Sequence, residues 1–139
     1  MTYEEFFEKY NKLLESGNEQ ILADIKVGLT DSSEPACFEL IGNLYDPRFI
    51  NYVDGHEIEE EIKNTFTNES KAQYYKKLAF EAYKARAESG DYDYMSHLAD
   101  LYLSGEGTEI NQEKADYWLD KLYIKKTGMK FKEWLAKNA

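Results

Sequence analysis

The sequence predicts an all-α protein, on three observations. Apolar residues recur at helical spacing almost from end to end. Valine occurs only at Val27 and Val53, and no segment alternates apolar with polar residues as a half-buried strand would. Short stretches recur in the chain, each associated with a helical segment. The 139 residues are 42% hydrophobic and 15% aromatic, enough for a single domain with a real core and too much for a disordered chain.

Each element has its own signal. Thr2 and Glu5 form a T-x-x-E capping box. Tyr3, Phe6, Phe7, Tyr10, Leu13 and Leu14 then follow the spacing of one apolar helix face. Gly17 ends that helix, and Asn18 caps a second that carries Ile21, Leu22 and Ile25. Asp31 to Pro35 is a turn, with Pro35 in the first turn of a helix bearing Phe38, Ile41, Leu44 and Tyr45. Asp46-Pro47 stops it. Residues 46–55 are irregular and close on the turn signal Asp54-Gly55.

A short helix is expected next, with Ile58, Ile62 and Phe66 inward and Glu57, Glu59, Glu60 and Glu61 outward. Thr67 or Asn68 opens a long helix to about Glu88, with Tyr75, Leu78, Ala79, Ala82 and Ala87 on its buried side. Ser89-Gly90-Asp91 breaks it. A helix from about Tyr92 to Ser104 carries Tyr94, Met95, Leu98, Leu101 and Tyr102. After a glycine loop, Asn111 caps a helix with Ala115, Trp118, Leu119 and Leu122 on one face. Thr127-Gly128 interrupts, and a last short helix bears Phe131, Trp134 and Leu135.

Two fragments recur. Glu15-Ser16-Gly17 returns as Glu88-Ser89-Gly90, and Ile41-Gly42-Asn43-Leu44-Tyr45 returns as Leu98-Ala99-Asp100-Leu101-Tyr102. The second fragment reads apolar, small, polar, Leu, Tyr, in which the small residue admits a neighbouring helix and the tyrosine fills the space beside it. Residues 91–122 resemble a Sel1-like repeat, a relative of the tetratricopeptide repeat, through Leu98, Tyr102, Gly105, Gly107, Ala115 and Trp118 in ungapped register. Ala99 stands for the family glycine, Thr108 for its valine and Asn111 for its aspartate. A degenerate copy over 35–90 departs from the pattern by an insertion at 46–66. The resemblance implies antiparallel helical hairpins stacked as a short solenoid with an irregular insertion. It also implies a protein–protein binding role without naming a partner.

The net charge is −10 and is uneven. Residues 1–70 hold 16 Asp and Glu against five Lys and Arg, whereas residues 71–139 hold 11 against 12. Such a surface disfavours nucleic acid and favours a basic protein partner. No opening basic and apolar run marks a signal peptide, no apolar stretch reaches membrane-spanning length, and a lone Cys37 allows no internal disulfide. A cytoplasmic location is expected, with no cofactor and no membrane contact.

Candidate chemistry is sparse. Cys37 lies at an apolar helix face with no histidine near it in sequence, so a buried inert thiol is expected. His56 and His97 are far apart and build no zinc set. Gly105-x-Gly107 follows a helix and lacks the lysine of a phosphate loop. Tyr52, Tyr74 and Tyr92 lie off the apolar stripes and are candidate exposed anchors. The inserted segment points to a binding face formed by Tyr52, Asp54, Glu57, Glu60 and Glu61. Three function classes follow in order: an acidic inhibitor or immunity protein blocking a basic partner such as a toxin nuclease; an adaptor docking peptides or helices on a concave face; and, last, an enzyme, for which no catalytic set converges.

Overall fold

The computed structural model describes residues 1–48 and 59–139, together with the backbone of 52–53 and 56–57. It is helical: α1 Tyr3–Ser16, α2 Glu19–Gly28, α3 Pro35–Tyr45, α4 Glu60–Phe66, α5 Glu69–Glu88, α6 Met95–Ser104, α7 Gln112–Thr127 and α8 Phe131–Asn138, with a 3-10 turn at Tyr92–Tyr94. One departure from the expected all-helical reading is a minimal antiparallel pair, β1 Tyr52–Val53 and β2 His56–Glu57, in register Tyr52 opposite Glu57. Glu57 therefore belongs to a strand, not to the helix that the sequence placed it on. The physical reason is legible afterwards: Asp-Gly between two short segments is a strong hairpin signal. Ile58, expected inside that helix, lies outside the described residues.

The chain forms two compact units, residues 1–79 and 80–139, and the division falls within α5. In the first unit α1 and α2 pair and α3 packs on α1 and α4. Thr2 Oγ1 accepts from the Glu5 amide at 3.1 Å, and the Asn18 side chain accepts from the Gln20 amide at 2.9 Å. Gly17 turns the chain between them at φ 65° while its amide donates to the Leu13 carbonyl at 2.7 Å. A Cβ there would also stand 3.1 Å from the Ile62 side chain, so both backbone and packing demand glycine. Phe6, Leu13, Ile25, Ile41 and Leu44 are fully buried, and the Tyr10 hydroxyl donates to the Leu40 carbonyl at 3.0 Å, tying α1 to α3. Tyr3 and Phe7 correct the sequence reading: they sit at the edge of the apolar stripe and are 40% and 39% exposed.

In the second unit α6 packs along α7, and α7 against α8. Phe80 meets Tyr102 edge-on at 5.3 Å. Met95, Leu98, Ala99 and Ala115 are fully buried. α8 buries no residue; Phe131 and Trp134 only lean on Tyr123, at 4.8 and 5.2 Å, and Leu135 is exposed. The buried stripe of α5 comprises Ala72, Lys76, Ala79, Phe80, Tyr83 and Ala87, whereas Tyr75, Leu78 and Ala82 are only partly covered. A lysine inside that stripe is what apolar periodicity alone does not show.

The two units share a local geometry. The Tyr45 carbonyl accepts from the Asn68 amide at 2.8 Å, and the Tyr102 carbonyl accepts from the Asn111 amide at 2.8 Å. Asn68 caps α5 by accepting from the Lys71 amide at 3.0 Å, as Asn111 caps α7 by accepting from the Lys114 amide at 3.0 Å. One residue further on, Ala72 and Ala115 are buried. The Lys71 ammonium lies 5.5 Å from the Tyr45 ring centre and the Lys114 ammonium 5.7 Å from that of Tyr102. Gly42, the small residue of the first copy, is pressed by α5, since a Cβ there would stand 3.1 Å from the Lys76 side chain. The sequence signal for this second half is Asn-x-x-Lys-Ala, at 68–72 and 111–115.

Candidate functional site

Measured by unit, residues 1–79 hold 16 acidic and eight basic side chains, and residues 80–139 hold 11 and nine. The acidic excess is displayed: Glu4, Glu5, Glu8, Glu15, Glu19, Asp24, Glu59, Glu60, Glu61 and Glu69 are all exposed. Of the inserted-segment candidates, Glu60 and Glu61 occupy the first turn of α4, where carboxylates complement the helix dipole. Glu60 pairs with Lys63 at 3.1 Å, and this pair leaves Glu60 open to solvent. Tyr52 and Glu57 face one another through backbone pairing, and Asp54 lies outside the described residues. Tyr74 is 59% exposed, with its ring edge-on to Tyr75. Tyr92 is half-buried, with the Lys125 ammonium 5.7 Å from its ring centre. The exposed aromatics that hydropathy missed are Tyr3, Phe7 and Tyr117, each on or beside an otherwise apolar helix stripe.

A dense polar arrangement lies at the C-terminal end of α3. Asp46 is buried and takes four donors. Its Oδ1 accepts from the Arg48 amide at 2.8 Å and from Arg48 Nε at 3.2 Å; its Oδ2 accepts from Arg48 Nη2 at 2.8 Å and from the buried ammonium of Lys76. Hydrogen bonds from Arg48 hold the carboxyl well below the usual carboxylate range; burial opposes them and Lys76 assists. A cleft of about 270 Å³ beside it is lined by Asp46, Pro47, Arg48, Glu69 and Gln73. A carboxylate so fully engaged is a fixed anion, not a general base. Aligning the shared geometry of the two units puts Leu103 and Leu119 where Asp46 and Lys76 stand. There Leu103 is 40% exposed and Leu119 part-buried, so the second unit has no buried ion pair at these positions.

On the neighbouring side of α5, Tyr45 and Tyr75 stack at 5.9 Å, and the Lys26 ammonium lies 5.0 Å from the Tyr45 ring centre and 5.6 Å from that of Tyr75. The Tyr45 hydroxyl is buried without a hydrogen-bond partner among the described residues, and burial raises its pKa against the opposing charge of Lys71. Such an orphaned group costs about 1–3 kcal/mol, which stacking and the two ammonium contacts partly offset.

Cys37 is buried, and its thiol is pushed up to about 11 by burial first and Glu34 second, so it carries no thiolate at neutral pH. His97 stacks on Tyr83 at 4.0 Å, while β2 contains His56. Among the described residues no group of three or more His, Cys, Asp or Glu is placed to hold a metal ion, and no helix is long and apolar enough to cross a membrane. Leu98, Tyr102, Ala115 and Trp118 are buried, and Gly105 and Gly107 take φ of 76° and 75° in the loop between α6 and α7. Searches against protein-family models, curated proteins and solved structures return no match to the chain.

Proposed function

We propose that this chain is a protein-binding, Sel1-like helical-repeat protein. In this reading it is an acidic inhibitor that blocks a basic partner such as a toxin nuclease, acting in the cytoplasm and without catalysis of its own. The observation that carries the reading is the display of carboxylates over residues 1–79, where exposed Glu and Asp outnumber the basic side chains on α1, α2 and α4. A nuclease groove is basic because it must attract phosphates, and an acidic surface competes for it directly. The repeat half of the proposal draws on the shared Tyr45–Asn68 and Tyr102–Asn111 geometry, in which a tyrosine in the last turn of one helix receives the capped start of a later helix. Hairpins of this type stack into a short solenoid, with residues 46–66 as an insertion. The adaptor reading is the alternative, favoured by Tyr74, an exposed aromatic on a helix.

The test is affinity capture from the native host at low and high salt, with the captured protein then assayed for activity against increasing amounts of this chain. A basic protein, eluted by salt and inhibited at equal stoichiometry, supports the inhibitor. A neutral or acidic protein held equally well in high salt overturns it and favours the adaptor.

A further inference from the structure

We propose that the aromatic strip Tyr3–Phe7 on α1, walled by glutamates of α1 and α3, is a docking surface for an arginine-bearing segment of a basic protein. The inference rests on the basic-partner reading above and names its surface. Tyr3 and Phe7 are one turn apart, with ring centres 6.1 Å apart, and remain 40% and 39% exposed although they border a filled core. One residue beyond each lies an exposed carboxylate, Glu4 and Glu8, so an acidic row runs parallel to the aromatic one. On the α3 side, Glu34 and Glu39 lie close enough to Tyr3 for their charges to act on its hydroxyl, whose pKa is raised by burial first, then Cys37, Glu39 and Glu34. The Glu8–Lys12 pair at 3.5 Å is open to solvent on both partners, so it is weak and yields readily to a better cation.

A guanidinium suits this strip better than any other common group. It stacks flat on aromatic rings and forks onto carboxylates at the same time. The same carboxylates repel anionic lipid and nucleic acid, and a second copy of a chain with net charge −10 is repelled as a whole. Exposed aromatics with a polar rim are also the composition of an interface hot spot.

The experiment is fluorescence-anisotropy binding of the full chain, at low salt, to a labelled alanine-based helical peptide carrying arginines at i and i+4. Two variants remove a ring without changing charge, Tyr3→Gln and Phe7→Gln. Two pairs remove equal charge from different helices, Glu4→Gln with Glu8→Gln, and Glu60→Gln with Glu61→Gln. The expected result is that each ring variant weakens binding at least about threefold, the worth of an exposed cation–π contact, and that the α1 pair costs more than the α4 pair. Parent-like binding by both ring variants, with equal losses for the two pairs, overturns this surface and leaves the basic-partner reading standing. A parent chain that does not bind the peptide overturns both. Thermal melts identify a variant that fails to fold; should Phe7→Gln do so, Tyr3→Gln and the charge-matched pairs decide.

Discussion

Asp46 and Lys76 show how one residue's role depends on what it touches. Taking both charges out of water costs several kcal/mol per ion, and the pair survives because Arg48 completes the carboxylate's hydrogen bonds. Lys76→Ala leaves Asp46 buried without its ammonium partner and is expected to destabilise by about 3–5 kcal/mol in urea unfolding. Asp46→Leu with Lys76→Leu replaces the buried pair by apolar groups of similar size and is expected to be near neutral or stabilising. The pair also predicts pH dependence. A carboxyl depressed in the folded state adds stability that is complete above its unfolded pKa of about 3.9 and is lost as pH falls through the lower folded value. The parent should therefore lose more stability between pH 5 and strong acid than the double-leucine variant. An identical acid profile for the two would remove Asp46 as the cause. None of this was legible in the sequence, where Asp46-Pro47 reads only as a helix stop. Long-range pairing of charges leaves no periodic trace. By contrast Cys37 and Trp118 were readable, because burial at helical spacing does leave one.

At the scale of elements, caps and glycines made the helix ends readable. Thr2, Asn18 and Asn111 each accept from the start of the helix they were expected to open, and Gly17, Gly105 and Gly128 close helices in the left-handed conformation. What local sequence missed was the phase of the stripes. Tyr3 and Phe7 match the apolar pattern yet fall at its edge, since a stripe read from spacing has no boundary until a neighbour covers it. The two-residue strands escaped for a related reason: two residues are too few to show alternation. Asn68 and Asn111 do equivalent work, so Asn68→Ala and Asn111→Ala should each cost about 0.5–2 kcal/mol in thermal unfolding. A cost at only one site would show that the shared geometry is not shared energetics. Trp118→Ala should cost about 3–5 kcal/mol, as emptying a large core site does, whereas Glu60→Ala on the solvated turn of α4 should stay within about 0.5 kcal/mol. A Trp118→Ala variant that melts like the parent would place the packing of α7 elsewhere.

For the whole molecule the governing fact is charge. Most of the 16 acidic side chains of residues 1–79 are exposed, and like charges on one surface repel. We attribute their display to the proposed basic partner. The acidity was legible in the sequence, because counting requires no fold. Which carboxylates stand beside an exposed ring was not, because that depends on how α3 lies against α1. The most direct measurement is the association rate of the chain with its captured partner, by stopped flow, across an ionic-strength series. Exposed charges are screened within about 8–10 Å at physiological salt. A steered encounter should therefore slow by tenfold or more from about 10 mM to 500 mM salt, while dissociation changes little. An association rate that stays constant across that range would contradict a partner chosen by charge.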